Sequence, residues 1–160
     1  MSAGVLVGAR DILDFWFDPL HAAHWFVADD QFDQEIRQRF GTAVEAAARG
    51  QLDDWAGEPE SWLALLILLD QFPRNLYRGS ARAWETDVKA QRFAVSGLDG
   101  GFDRLLPLLQ RVFAYLPLEH AEDTGLQHRS VAMFDALHGQ VDADERARFG
   151  VQHLPFGRPK

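Results

Sequence analysis

The chain has 160 residues, with 24 Asp+Glu against 16 Lys+Arg and a formal charge of −8. That length makes one domain able to bury roughly two-thirds of its unfolded surface, and 47% apolar with 25% charged residues is the balance of a folded chain rather than a disordered one. The absence of cysteine excludes disulfides, thiolate metal ligands and a cysteine nucleophile, and the acidic balance argues against a nucleic-acid surface, which needs clustered Lys and Arg.

No export or membrane segment is expected. Met1–Arg10 has no basic residue ahead of its short apolar stretch, and the most apolar run, Trp62–Leu69, is far shorter than the roughly 20 residues that span a bilayer. Cytosol is the expected compartment.

The elements all read as helices. Arg10–Phe17 forms a short amphipathic helix that Asp18-Pro19 ends, because the residue before proline avoids the α region. Asp29 or Asp30 caps a second helix, in which Phe32, Ile36, Phe40 and Val44 recur every four residues and which Gly50 closes. Pro59 suits the first turn of a third, running through Trp62–Leu69 to Phe72 and stopped by Pro73. Its apolar residues fall on nearly every side, which predicts a place at the centre of the core.

A fourth helix runs from Thr86/Asp87 to Gly97, with Val88, Arg92/Phe93 and Val95 arranged around it. Pro107 opens a fifth, whose apolar stripe is Leu108, Leu109, Val112, Phe113 and Leu116 and which Pro117 ends. Asp123 caps a sixth that carries Leu126, Ser130, Met133, Phe134 and Leu137 to Gly139, and Asp142 with Glu145 starts a seventh ending at Gly150. The expected fold is all-α, about seven helices in antiparallel hairpins within a single domain over 1–160. No strict repeat is present, since helix pairs starting near 29, 86 and 123 are unequally spaced.

Short connections favour antiparallel neighbours. If the second helix runs down, the segments before the second, fourth and sixth helices share the upper end: Asp18–Asp30, Pro73–Asp87 and Pro117–Asp123. The chemically distinctive residues concentrate in these three, whereas the lower loops are plain and rich in Gly and Asp. Three helix N-termini and Arg74, Arg78 and Arg82 at that end would attract a small carboxylate- or phosphate-bearing ligand. Asp29, Asp87 and Asp123 compete for the same N-termini as caps.

Within this end, Arg74, Asn75 and Arg78 read as an anion clamp with Asp70 holding Arg74. The alternative is that Arg74 and Asn75 cap the third helix while Asp70 fixes the loop. His120 with Glu122 reads as a proton-transfer pair in which the carboxylate sets the imidazole tautomer, with Asp123 more simply a cap. Trp25 and Trp84 read either as the aromatic wall of a pocket or as staples for long loops. His120, Glu122 and Asp123, with His24 or Asp29, read alternatively as ligands of a divalent metal. His21 and His24 share one face of a turn, a pair more often exposed than metal-bound, and neither a metal nor a cofactor is expected. If Arg74 and His120 serve binding alone, alanine at either should leave stability within about 1 kcal/mol.

Three strings carry a resemblance: Leu69-Asp70-Gln71-Phe72-Pro73-Arg74-Asn75 with Arg78-Gly79 and Asp87; Tyr115-Leu116-Pro117-Leu118-Glu119-His120-Ala121-Glu122-Asp123 with Gln127 and Ser130-Val131; and Ile12-Leu13-Asp14-Phe15-Trp16-Phe17 with Trp25-Phe26. Over about residues 10–150 the chain resembles a bacterial family described as a domain of unknown function, DUF nine-two-four. The resemblance implies a tetratricopeptide-like α-α superhelix and no particular reaction. Members of that family carry a second Phe-Pro-His-Arg-Asn stretch after the Arg148-Phe149-Gly150 position, where this chain has the divergent tail 151–160, beginning Val151-Gln152-His153-Leu154-Pro155-Phe156.

The functional expectation is a polar pocket at one end of the helices that binds a small anionic molecule, with hydrolase-like chemistry as its use. Arg74, Asn75, Arg78, Asp70, Trp25 and Trp84 would bind, and His120 and Glu122 would move protons. The alternative is a tetratricopeptide-like module that binds a protein partner. Neither nucleic acid nor a membrane is an expected partner.

Overall fold

The computed structural model describes residues 7–141, and all its regular structure is helical: seven α-helices joined by short 3-10 turns, with no strand among the described residues. The helices are α1 (Ala9–Trp16), α2 (Asp30–Ala48), α3 (Pro59–Leu66), α4 (Phe72–Leu76), α5 (Asp87–Asp99), α6 (Val112–Glu119) and α7 (Thr124–His138). The seventh helix expected over 142–150 and the divergent tail lie outside the described residues. The count of seven is reached differently: the third predicted helix is one rod divided by a π turn.

That rod is the centre of the core, as its all-round apolar pattern predicts. Every residue from Trp62 to Pro73 is buried. Pro73 does not stop it, which corrects the expected boundary. Over Ile67–Gln71 the helix widens into a π turn, closed where the Phe72 N–H donates to the Ile67 carbonyl, and α4 continues through Pro73 to Leu76. The extra residue in the turn gives the pyrrolidine ring the room that an α-helix denies it. Proline also lacks the N–H that would have bonded Leu69, four residues back; the Thr86 hydroxyl donates to that carbonyl instead, at 2.6 Å.

Pro117 is likewise inside a helix and not after one. It sits in the last turn of α6, which runs on to Glu119 with His120 as its C-cap, so it removes a single helical hydrogen bond where little helix remains to disturb. The fifth predicted helix begins as a 3-10 turn, Leu108–Arg111, and becomes α-helical at Val112. Both corrections have one consequence: Arg74, Asn75 and His120 stand on rigid helix ends instead of in loops.

In α5, Val88, Phe93 and Val95 are spread around the helix as expected, with Val88 exposed and Phe93 and Val95 partly buried against the core; the fully buried face is Ala90, Ala94, Gly97 and Leu98. Small residues face inward because Trp62 lies against them, with its indole N–H donating to the Phe93 carbonyl at 2.7 Å. A Cβ at Gly97 would stand 2.1 Å from Trp62 Cε2, so glycine is required there.

The stripe of α2 is buried as predicted, at Phe32, Ile36, Phe40 and Val44. Asp29 caps α2 by accepting from the Phe32 N–H at 3.0 Å, and Asp123 caps α7 from the Leu126 N–H at 2.9 Å. The start of α5 has no side-chain cap, since the hydroxyl of its N-cap residue, Thr86, is turned to the Leu69 carbonyl.

Candidate functional site

The distinctive residue of the rod is Asp70, a carboxylate only 1% exposed. It lies in the π turn, and three side chains meet it. Gln71 Nε2 donates to Oδ2 at 3.0 Å, Arg74 Nη1 donates to Oδ1 at 3.3 Å, and His120 Nδ1 lies 2.8 Å from Oδ1. A buried carboxylate is tolerated only when its lone pairs are met in this way. With Asp70 accepting, Nδ1 is the protonated nitrogen of His120, and Nε2 carries the free lone pair.

Arg74 is more occupied than the sequence suggests. Its Nη1 also donates to the Asp70 carbonyl at 2.6 Å, and its Nη1–Nη2 edge grips both oxygens of Asp87 at 2.9 Å each. Burial pulls the guanidinium pKa down, but the hydrogen bond to Asp87 and the charges of Asp70 and Asp87 outweigh it and hold it above the ordinary arginine value. Asp87 is therefore the fifth member of this cluster and not a helix cap. What remains of Arg74 is its Nε–Nη2 edge, which no described residue occupies.

A second carboxylate organises the next turn. Asp33 of α2 accepts from Asn75 Nδ2 at 2.8 Å and from Arg78 Nε at 2.7 Å, with Arg78 Nη2 at 3.4 Å. Asn75 is thus an internal tie to α2. Arg78 is fixed on one edge, and its Nη1 has no partner among the described residues. Each arginine is held by aspartate along one edge and presents the rest of its fork.

These groups converge on a cavity of about 200 Å³, lined by Arg74, Asn75, Arg78, Gln71 and His120 on its polar side and by Trp25, Phe26 and Leu116 on its apolar side. Residues 25, 71–78 and 116–120 therefore do meet at one end, as the alternation of helices predicts. Trp25 is clamped in place by its indole N–H, which donates to the Trp16 carbonyl at 2.8 Å.

Two of the expected site residues are placed elsewhere. Trp84 is 61% exposed, outside the lining. Glu122 is exposed, and it is Asp70, fifty positions away, that holds His120. His21 bonds the Phe15 carbonyl and His24 pairs with Asp29; among the described residues no three His, Asp or Glu side chains gather as metal ligands.

The sequence pointed to no role for Asp33, and it gave Gln71, Phe26 and Leu116 only as parts of the strings that carry the resemblance, with Asp87 as a cap. Asp33 carried a weak signal: it borders the apolar stripe of α2 one position after Phe32, where an acid needs a partner from another helix.

A family model described as "Bacterial protein of unknown function (DUF924)" matches residues 12–156. The chain belongs to this family. No curated protein matches it. A solved structure of a protein of unknown function from Agrobacterium tumefaciens is similar at 41% identity and a TM-score of 0.78, over 88% of this chain and 80% of that one. DUF924 membership brings no assigned reaction. No helix among the described residues is long and apolar enough to cross a membrane.

Proposed function

We propose that this DUF924 protein binds a small oxyanion, a phosphate or carboxylate group, between Arg74, Arg78 and His120 and acts on its ligand by proton transfer through His120. The supporting observation is the 2.8 Å contact between His120 Nδ1 and the buried Asp70 in a cavity whose other polar walls are two arginines. Asp70 fixes the imidazole's tautomer and orientation, so Nε2 is the group that takes a proton. The lining contains no serine, threonine or cysteine, which favours water as nucleophile. His120 Nε2 would draw a proton from that water as its oxygen attacks the ligand, and the imidazolium would return it to the leaving group. The free arginine edges would stabilise the added negative charge.

The test is titration with inorganic phosphate, followed by the ring nitrogens of His120 in NMR and by calorimetry. Binding should shift the His120 signals, R78Q should weaken it at least about tenfold, and D70N should lower turnover of a phosphate ester while leaving phosphate affinity within about threefold. Phosphate that perturbs neither His120 nor the heat trace would overturn the reading.

A protein-interaction module of tetratricopeptide-like form has one observation in its favour. Leu20, Phe26 and Val27 are exposed large apolar residues close together in sequence, near the cavity mouth through Phe26. That reading leaves the buried Asp70–His120 pair without a use.

A further inference from the structure

On the far side of Asn75 and Arg78 lies a second cavity, wider and more open, of about 460 Å³. These two residues and nothing else line both spaces, so they form the wall between them. Resting on the anion-binding reading above, we propose that the two cavities are compartments of one site, whose ligand is an oxyanion attached to a neutral polyhydroxylated body, as in a sugar phosphate or sugar acid.

Size makes the first argument. Ligand pockets usually run about 300–1,000 Å³. The His120 compartment, at about 200 Å³, holds a head group but not a whole metabolite, whereas the neighbouring 460 Å³ falls in the usual range.

Chemistry makes the second. Besides the wall, the larger space is lined by Asp30, Gln31, Asp33, Gln34, Arg37 and Leu76. Leu76 is the single apolar residue of the lining and is itself nearly buried, so the remaining apolar surface belongs to the stems of side chains that end in polar groups. The charges balance, two aspartates against Arg37 and Arg78, so a second charged group gains little. Three side chains remain uncommitted: Asp30, Gln31 and Gln34 have no side-chain hydrogen-bond partner among the described residues. Gln34 lies four residues from Asp30 and three from Gln31 on α2, so both flank it, and the three supply both donors and acceptors, the pattern that hydroxyl groups require.

Arg37 and Arg78 are both pinned from behind, Arg37 by donating to the Leu76 carbonyl and Arg78 by Asp33. These two arginines are therefore set before the ligand arrives, which lowers the ordering cost of binding.

Calorimetry with four probes tests this: inorganic phosphate, glucose 6-phosphate, gluconate and hexyl phosphate. Glucose 6-phosphate or gluconate should bind at least about tenfold tighter than inorganic phosphate, a difference that two or three hydrogen bonds supply, and hexyl phosphate should show no such gain. Which of the two sugar probes gains more identifies the head group. The double variant Q31A/Q34A should erase the gain while leaving inorganic phosphate binding unchanged. Equal affinity for all probes, or preference for hexyl phosphate, would overturn the two-compartment proposal and leave the anion site standing. Failure of every probe to bind would overturn both.

Discussion

Two buried carboxylates sit toward opposite ends of α5, and they do different things. Asp70 lies beside the start of that helix through Arg74 and Asp87; Asp103 lies past its end and accepts from the Tyr115 hydroxyl at 2.7 Å. Both are nearly inaccessible, 1% and 8% exposed. The partner of Asp103 is itself buried and lines no described cavity, so the pair ties the 102–105 turn to α6. The partners of Asp70 turn their other sides to a cavity. Burial of an acid is thus no mark of a site by itself; what marks one is that the groups satisfying the acid retain unsatisfied valence facing open space.

Four measurements would break or sharpen that contrast. The largest effect is expected from R74A, which leaves Asp70 and Asp87 without their shared cation. Unfolding in urea should show a loss of about 3 kcal/mol, the lower end of the cost of breaking a buried ion pair. This revises the expectation that alanine at Arg74 is nearly neutral, and a loss within about 1 kcal/mol would show the pairing to be weak.

Y115F comes next. It strips Asp103 of its donor, and about 2 kcal/mol should go, the cost of a buried acceptor left unmet, with phosphate binding unchanged. Its pH dependence sharpens the point. Burial, and then the hydrogen bond to Asp103, raise the Tyr115 hydroxyl above the ordinary tyrosine value of 10.0. A group raised in the folded state contributes fully below its unfolded value and less as pH climbs toward its folded one. Wild-type stability should therefore fall above about pH 10, and the Y115F curve should be flatter in that range.

T86V should cost about 1 kcal/mol, because the Leu69 carbonyl that Pro73 leaves open loses its substitute donor. No loss would mean that the π turn satisfies itself. The smallest effect belongs to W84A: an exposed indole outside the lining should change stability by less than about 0.5 kcal/mol and phosphate affinity not at all. A loss of affinity there would restore Trp84 to the pocket wall.

Much of the architecture was legible. Periodicity at Phe32, Ile36, Phe40 and Val44, together with caps at Asp29 and Asp123, located α2 and the start of α7, and the alternation of helices was enough to bring the Arg74 and His120 segments to one end. The errors share a cause: rules for proline and for small residues describe an isolated helix. Pro73 and Pro117 read as stops because a lone helix cannot replace the lost hydrogen bond or move away from the ring, whereas a packed one recruits Thr86 or widens by a residue. Gly97 read as the end of its helix, whereas α5 runs on to Asp99 and the glycine is there to admit an indole from another helix.

The same division runs through the site. Local sequence determined that the molecule is helical, where most helices begin, and which segments hold its arginines and histidines, since these follow from hydrogen bonding and periodicity over a few residues. Which acid meets which base was decided only in three dimensions. Asp70 holds His120 across fifty positions, and Asp33 holds Arg78 across forty-five. A desolvated charge takes whichever partner packing brings within 3 Å, and no spacing along the chain encodes that choice.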